Sequence, residues 1–188
     1  QHNLLENGDM EEQGAWKISQ GNLTDTIAYE FGSTENTVNG GVGGNLVIKQ
    51  QPASTEQSNL TIYQALDLVG GEEYLYSVAV RDLSTLGESK CWWLKYCWIA
   101  LEPVDGSDVD EQDIAPLHEW LDPKVYGING LLDTFRTESN IFVPEIDATY
   151  YVGINFGTCD SLGNYHWIVD EIKLIDQDAP SAVNTLFD

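Results

Sequence analysis

Apolar and polar residues alternate along most of this chain, and that period of two restricts the fold more than any other feature of the sequence. The alternating segments are rich in Val, Ile, Tyr and Trp and are separated by Gly, Asn, Asp or Pro, which is typical of β-strands joined by turns. Helical periodicity is nearly absent, and only 114–121 predicts a turn or two of helix. The predicted strands are 46–48, 60–68, 74–80, 92–101, 141–143, 150–156 and 168–175. Short strands punctuated in this way predict an all-β sandwich or barrel.

Length and composition predict one folded domain. The chain has 188 residues, of which 42% are hydrophobic and 11% aromatic, whereas acidic disordered chains lack aromatic and β-branched residues. We expect a single sandwich domain over 1–178 and a C-terminal tail at 179–188. No run of about 18 apolar residues occurs, so no membrane span is expected. The chain starts at Gln1 rather than Met and is strongly acidic, from which we expect a mature protein that is secreted or held at the cell surface.

The net charge of −23 comes from 31 Asp and Glu against 8 Lys and Arg. Nucleic acids and anionic membrane surfaces both require clustered Lys and Arg, so neither is expected as a partner. Six of the acids lie within 102–113, where no basic residue occurs. Because 102–132 also lacks a clear strand pattern, we predict one long acidic insertion between two strands of the sandwich. The acidic run lacks the spacing of an EF-hand loop and is interpreted as solvated charge.

Three cysteines occur in the sequence: Cys91, Cys97 and Cys159. Cys91 and Cys97 lie six residues apart in one predicted strand, which separates them by about 20 Å and prevents a disulfide between them. A disulfide from one of them to Cys159 and three buried thiols are both consistent with this spacing. The sequence contains no C-x-x-C motif of the kind that binds metal or performs redox chemistry.

The most specific signal lies at the two ends of the chain. Residues 3–11 read Asn-Leu-Leu-Glu-Asn-Gly-Asp-Met-Glu and are followed by Trp16, and residues 164–175 read Asn-Tyr-His-Trp-Ile-Val-Asp-Glu-Ile-Lys-Leu-Ile. This opening and closing order resembles the galactose-binding-like β-sandwiches, in particular the carbohydrate-binding modules of families four, nine and twenty-two. The resemblance covers 3–101 and 133–176 and implies a two-sheet antiparallel jelly-roll sandwich, with Met10 where the family usually has Phe.

The resemblance also implies a structural calcium ion where the first and last strands meet. Matching the family motifs places Glu11 and Asp170 as side-chain ligands, while Asp9 and the turn at 42–45 contribute mainly backbone oxygen atoms. Calcium takes roughly six to eight hard oxygen ligands and tolerates irregular geometry. Such an ion would also relieve the repulsion between acids that meet at the chain ends.

Alternation separates a core-facing side of the strands from an outward side. Tyr63 in 62–68, Arg81 at the end of the next strand and Asn155 in 150–156 are predicted to point outward. The resemblance implies a polar ligand-binding side chain at the Asn155 position. If these strands share a sheet, an aromatic ring and two polar groups lie on one surface. Such a surface suits stacking against a pyranose ring and hydrogen bonding to its hydroxyl groups.

The strand at 91–101 contains aromatic residues on both of its sides. Trp98 falls on one side, while Trp93 and Lys95 fall on the other. Because Lys95 indicates solvent, the side with Trp93 is predicted to lie beside the polar set, and the side with Trp98 is predicted to face the core. A β-bulge would reverse this assignment.

The insertion adds two further candidate ligand residues, Trp120 and Tyr126. Each is either the rim of a ligand cleft or an anchor for the loop. No catalytic motif is present, because the segment 118–122 begins like a zinc-protease helix but ends in Asp122 rather than His.

We therefore predict a non-catalytic protein, similar to a carbohydrate-binding module, that recognises a neutral oligo- or polysaccharide and contains a structural calcium ion. The alternative is a secreted or cell-surface domain of the same fold that binds a protein partner, which an exposed apolar patch would favour. A third hypothesis, a hydrolase, requires a cleft that holds two close carboxylates with raised pKa values.

Overall fold

The computed structural model describes the strands of the protein and most of its turns. The predicted helical turn at 114–121, most of the acidic insertion and the end of the C-terminal tail lie outside the described residues. The structure describes residues 2–20, 27–34, 44–50, 58–83, 85–86, 95–103, 136–158 and 163–179.

Within these ranges the secondary structure is entirely β. No helix in this part of the chain is long and apolar enough to cross a membrane. The strands are β1 (Lys17–Gln20), β2 (Ala28–Ser33), β3 (Asn45–Gln50), β4 (Ser58–Leu68), β5 (Tyr74–Asp82), β6 (Thr85–Leu86), β7 (Lys95–Ala100), β8 (Arg136–Phe142), β9 (Ala148–Thr158) and β10 (Gly163–Asp176).

The strands form two sheets in which every pairing is antiparallel. The smaller sheet has the order β1-β4-β9-β7, and the larger has the order β2-β3-β10-β5-β8, with β6 paired to one end of β10. The predicted all-β sandwich of two antiparallel sheets is confirmed. The strands at the centre of the sheets, β9 and β10, are the last two in the sequence.

The hydrophobic core lies between the two sheets. Aromatic rings bridge them, since Phe156 of β9 lies 5.3 Å from Trp167 of β10 and Phe142 of β8 lies 5.6 Å from Tyr150 of β9, measured between ring centroids. Trp16 is buried in the core, and its indole N–H donates a 2.9 Å hydrogen bond to the carbonyl of Asn7 in the opening turn. The aliphatic core comprises Leu46, Ile48, Leu60, Ile62, Val78, Val80, Val152, Ile154, Val169, Ile172 and Leu174, among others.

The opening motif is attached to the last strand through the side chain of Asn3. Its amide nitrogen donates to the carbonyl of Ile172 at 2.9 Å, and its amide oxygen accepts the N–H of Leu174 at 2.9 Å and the N–H of Leu5 at 3.1 Å. The backbone continues this contact, because Asn3 forms a bridge with Ile175. The two most specific sequence motifs are therefore bonded to each other along β10.

Candidate functional site

One face of the smaller sheet, turned away from the core, combines aromatic rings with an amide. In the strand register Tyr63 of β4 lies opposite Gly153 of β9, which in turn lies opposite Trp98 of β7. The Tyr63 ring centroid is 6.3 Å from that of Trp98 and 6.2 Å from that of Tyr151. We call this surface the aromatic face and define it by Thr61, Tyr63, Trp98, Tyr151, Gly153 and Asn155.

Gly153 leaves space for the Trp98 ring at the centre of the aromatic face. A Cβ atom built at this position would collide with the six-membered ring of Trp98 and would lie 2.8 Å from the carbonyl oxygen of Ile62. From the core side, the Tyr76 hydroxyl donates a 3.2 Å hydrogen bond to the Gly153 carbonyl. Glycine is therefore required for the indole to lie directly on the backbone of β9.

Asn155 is the polar centre of the aromatic face. Its side-chain oxygen accepts a 3.1 Å hydrogen bond from the indole N–H of Trp98, and the residue is only 3% exposed. Among the described residues its Nδ2 has no hydrogen-bond partner. A buried polar group without a partner costs about 1–3 kcal/mol, so such a donor in a native structure usually has a role. Trp98 fixes the amide orientation, which leaves the two N–H donors for another acceptor.

The rim of the aromatic face is polar. Tyr63 and Tyr151 are half-buried, and Lys17 of the edge strand β1 lies exposed opposite Tyr63. Farther along β4, Asp67 accepts a 2.6 Å hydrogen bond from the Thr149 hydroxyl. Half-exposed rings around a buried amide donor can stack on an apolar ring face while the amide donates to a hydroxyl or carbonyl oxygen.

The structure corrects the predicted faces of β7. Cys97 and Ile99 belong to the core, whereas Trp98 is buried on the opposite side, against Gly153. The cause is the register with β9, which pairs Cys97 with core-facing Ile154 and pairs Trp98 with Gly153. The prediction relied on Lys95, which is the first residue of the strand and pairs with Phe156, a residue of the core.

Arg81 is also placed differently from the prediction. It lies on β5 of the larger sheet, opposite Ile168 of β10, whereas Tyr63 and Asn155 lie on β4 and β9 of the smaller sheet. The three residues therefore do not share a surface. The chain crosses between the sheets after β4, so β4 and β5 are adjacent in sequence but lie in different sheets.

Of the predicted ligand residues, the structure brings together Tyr63 and Asn155, while Trp93, Trp120 and Tyr126 lie outside the described residues. Trp98 was not predicted as a ligand residue, because both sides of its strand are apolar or aromatic. Tyr151 was not predicted either, although the alternation that places Asn155 outward places Tyr151 outward as well.

Of the cysteines, Cys97 is a buried thiol of the core, next to the Tyr76 hydroxyl. Burial raises the pKa of Tyr76 well above its usual range, so this hydroxyl stays protonated and can donate its hydrogen bond. Cys91 and Cys159 lie outside the described residues.

The segments that the resemblance assigns to calcium meet at one end of the larger sheet. The backbone oxygen of Glu11 packs against Gly32, and Gly44 packs against the other side of Gly32. Asp170 lies at a bulge in β10, directly after Val169, which pairs with Leu46 of β3. The opening turn, the Gly44 turn and Asp170 are thus adjacent in the fold.

The oxygen atoms at this end are mainly those of the backbone. Asp9, Glu11 and Asp170 are exposed, and Asp9 already accepts the N–H of Glu11 at 3.3 Å. The described residues contain no cluster of three or more His, Cys, Asp or Glu side chains suited to a metal. Partial burial, together with the neighbouring Glu171, raises the pKa of Asp170 against the opposing effect of Lys173. Carboxylate and carbonyl oxygens are the ligands that calcium prefers, so a calcium ion here would take most of its ligands from backbone carbonyls.

Two carboxyl groups, those of Glu72 and Asp176, lie close together away from the aromatic face. A hydrogen bond with Asp176, together with desolvation and the charge of Asp176, raises the pKa of Glu72. Both groups lie at an exposed end of the sandwich. Carboxyl groups of retaining glycosidases are about 5–5.5 Å apart, which a direct hydrogen bond does not permit. The pair therefore lacks the geometry that glycoside hydrolysis requires.

No known protein-family model matches the chain, and no curated protein matches it in sequence. Solved structures do match its fold. The carbohydrate-binding module TmCBM61, solved in complex with β-1,4-galactotriose, is similar with a TM-score of 0.58 and 9% identity, over 94% of this chain and 100% of that one. A CBM4 structure is similar with a TM-score of 0.50 and 16% identity, over 92% and 99% of the two chains.

A third match comes from a larger protein. The enzymatically active domain of tailspike protein 4 from bacteriophage CBA120 is similar with a TM-score of 0.56 and 14% identity, over 92% of this chain. This chain spans 21% of that tailspike chain. At such identities the likeness shows the fold alone: the chain has the β-sandwich of carbohydrate-binding modules, as its terminal motifs predict.

Proposed function

We propose that the protein is a non-catalytic carbohydrate-binding domain and that a neutral oligosaccharide binds on its aromatic face. One observation carries this proposal: the nearly buried amide of Asn155 has its oxygen bonded to Trp98 and its nitrogen without a partner among the described residues. The shared sandwich fold supports it, since the similar module TmCBM61 was solved in complex with β-1,4-galactotriose. A sugar hydroxyl is an acceptor of suitable size for this donor.

In this proposal the rings of Tyr63 and Tyr151 stack on the apolar faces of pyranose units, while Asn155 donates to a hydroxyl. Because Nδ2 is shielded from solvent, we infer that a neighbouring side chain moves to admit that hydroxyl. Binding then needs no bond-making chemistry. The net charge of −23 disfavours an anionic polysaccharide and leaves a neutral glycan as the ligand. We expect the protein to bind its polysaccharide outside the cell, where the protein is either secreted or held at the cell surface.

Asn155→Ala is expected to weaken glycan binding about 10- to 100-fold, because it removes a hydrogen bond worth about 1.5–3 kcal/mol in a shielded site. Isothermal titration with β-1,4-galactotriose, cellotriose and xylotriose measures this, with a trigalacturonate as the anionic comparison. Trp98→Phe keeps a ring but releases the Asn155 amide, and we expect a smaller loss.

The matched control is Asn140→Ala, which removes an amide from an edge strand of the other sheet. Its affinity should stay within about twofold of the unmodified protein. If the unmodified protein stays folded and binds no neutral oligosaccharide, or prefers the trigalacturonate, the proposal is wrong.

We also propose a structural calcium ion at the meeting point of the opening turn and β10, held by Glu11, Asp170 and backbone oxygen atoms around Asp9 and Gly44. The ion would keep the opening turn against the sheets and would compensate the acids there.

Calcium at about 100 times its dissociation constant is expected to stabilise the fold by about 2.7 kcal/mol, because it binds the folded state alone. For a domain of this size that corresponds to a rise in Tm of about 5–10 °C over the protein in chelator. Asp170→Asn should abolish most of the rise, whereas Glu30→Gln, an exposed acid on β2, should retain it. Equal Tm values in calcium and in chelator would exclude the ion.

A further inference from the structure

One end of the sandwich is closed by two connections that cross between the sheets side by side. They join β4 to β5 and β8 to β9. The backbone N–H of Gly71 donates to the carbonyl of Pro144 at 2.8 Å, and the N–H of Gly70 donates to the Asp147 carboxylate at 2.7 Å. Gly71 has a φ of 83°, which favours glycine. These bonds hold the two connections together as one surface.

This end exposes aliphatic side chains instead of burying them. Six large hydrophobic side chains are exposed among the described residues, and four of them lie here. Because the connections are bonded to each other, these side chains cannot easily turn inward. The four are Val69, 47% exposed, Ile141, 43%, Val143, 47%, and Ile146, 54%. Exposed apolar side chains gathered at one place mark an interaction site.

Acidic side chains surround the aliphatic ones, and no Lys or Arg occurs in 69–73, 141–147 or 176–178. The acids in these segments are Glu72, Glu73, Glu145, Asp147, Asp176 and Asp178. Charge repulsion contributes at Glu72, whose pKa is raised by a hydrogen bond with Asp176, by desolvation and by the charges of Asp176 and Asp178. We call the four aliphatic residues with these six acids the acidic end.

We propose that the acidic end binds a partner protein through a basic amphipathic segment, in which apolar side chains alternate with Lys or Arg. The apolar side chains would cover Val69, Val143 and Ile146, and the basic ones would neutralise the surrounding acids. A second copy of this chain suits the surface poorly, since each copy has a charge of −23. An anionic membrane is disfavoured by the same charge. The acidic end shares no residue with the aromatic face.

The test measures fluorescence anisotropy of a labelled 18-residue amphipathic peptide of leucine and lysine, titrated with the full chain. A second peptide has serine in place of every leucine. We expect the leucine peptide to bind at least tenfold more tightly than the serine peptide. Val143→Ser with Ile146→Ser should weaken binding at least tenfold, whereas the matched control Tyr29→Ser, an exposed aromatic on β2, should change it less than twofold.

Charge is tested in the same way with Glu73→Gln and Glu145→Gln together. This pair should weaken binding at least fivefold and reduce its salt dependence, while Glu30→Gln with Glu102→Gln, an equal charge change elsewhere, should have less than a twofold effect. Equal losses from both pairs would show binding by net charge alone and would overturn the proposal. Two other results would overturn the proposal: a dimer in sedimentation equilibrium, or binding of the protein to phosphatidylcholine vesicles, if Ile146→Ser abolishes it. The surface would then bind a second copy of the chain or a membrane instead of a basic segment.

Discussion

Gly153→Val is expected to lower the free energy of unfolding by about 2–3 kcal/mol and to weaken glycan binding more than tenfold. A Cβ at this position collides with the Trp98 ring and crowds the carbonyl of Ile62, and valine adds two methyl groups to that collision. Forcing extra carbon atoms into a packed site typically costs about 1–3 kcal/mol. The backbone of β9 cannot retreat, because the Tyr76 hydroxyl holds the Gly153 carbonyl from the core side.

Binding should fall with stability here because the indole that Gly153 supports also orients the Asn155 amide. Ala65→Val is the matched control, since it places the same side chain on the same face of the sheet at an exposed position of β4. Urea denaturation and titration with β-1,4-galactotriose measure the two effects. If Gly153→Val and Ala65→Val have the same effects on stability and on binding, the position of the Trp98 indole does not depend on glycine at 153.

Asn3→Ala is expected to destabilise the protein by about 2–4 kcal/mol. The substitution removes three hydrogen bonds and leaves the carbonyl of Ile172 and the N–H of Leu174 without their side-chain partner. Each lost bond costs about 1 kcal/mol, and more where a buried group stays unsatisfied. The corresponding fall in Tm is about 5–12 °C, measured by differential scanning calorimetry.

Asn3→Asp separates the bonds. It keeps the oxygen acceptor for Leu5 and Leu174 but places a carboxylate oxygen against the carbonyl of Ile172, and protonation of that carboxyl group restores a donor. The Tm deficit of Asn3→Asp relative to the unmodified protein should therefore shrink at low pH, whereas that of Asn3→Ala should not. Asn140→Ala removes a half-buried amide whose oxygen accepts the N–H of the adjacent Ile141, and it should cost less than Asn3→Ala because it removes no bond between the opening motif and β10. If Asn3→Ala and Asn140→Ala lower the free energy of unfolding equally, the bonds from Asn3 to β10 add nothing specific to stability.

The parts of the fold that could be predicted are those in which burial imposes alternation. In β4, β5 and β9 one side is core and the other is not, so alternation alone assigns Ile62, Val78 and Ile154 to the core, where the structure places them. In β7 both sides are apolar or aromatic, and only the long-range register with β9 decides between them. Local sequence does not contain that register, so Trp98 was assigned to the core side.

The candidate site was half predictable for a related reason. Tyr63 and Asn155 follow from alternation, but membership of a sheet depends on pairings between distant segments. Arg81 was grouped with them because β4 and β5 are adjacent in sequence, whereas β5 pairs with β8 and β10. The strands β1 and β2, together with the polar first half of β8, were missed because they lie at sheet edges, where a core-facing pattern is weak.

The central position of β9 and β10 has a consequence for synthesis on the ribosome. Until residues 148–176 have been translated, the described strands can form only the two-stranded pairings β1 with β4, β2 with β3, and β5 with β8. Isolated two-stranded ribbons are marginally stable and leave unpaired strand edges. The two sheets therefore form only after β9 and β10 have been translated, and until then the emerging strands expose edges that favour aggregation.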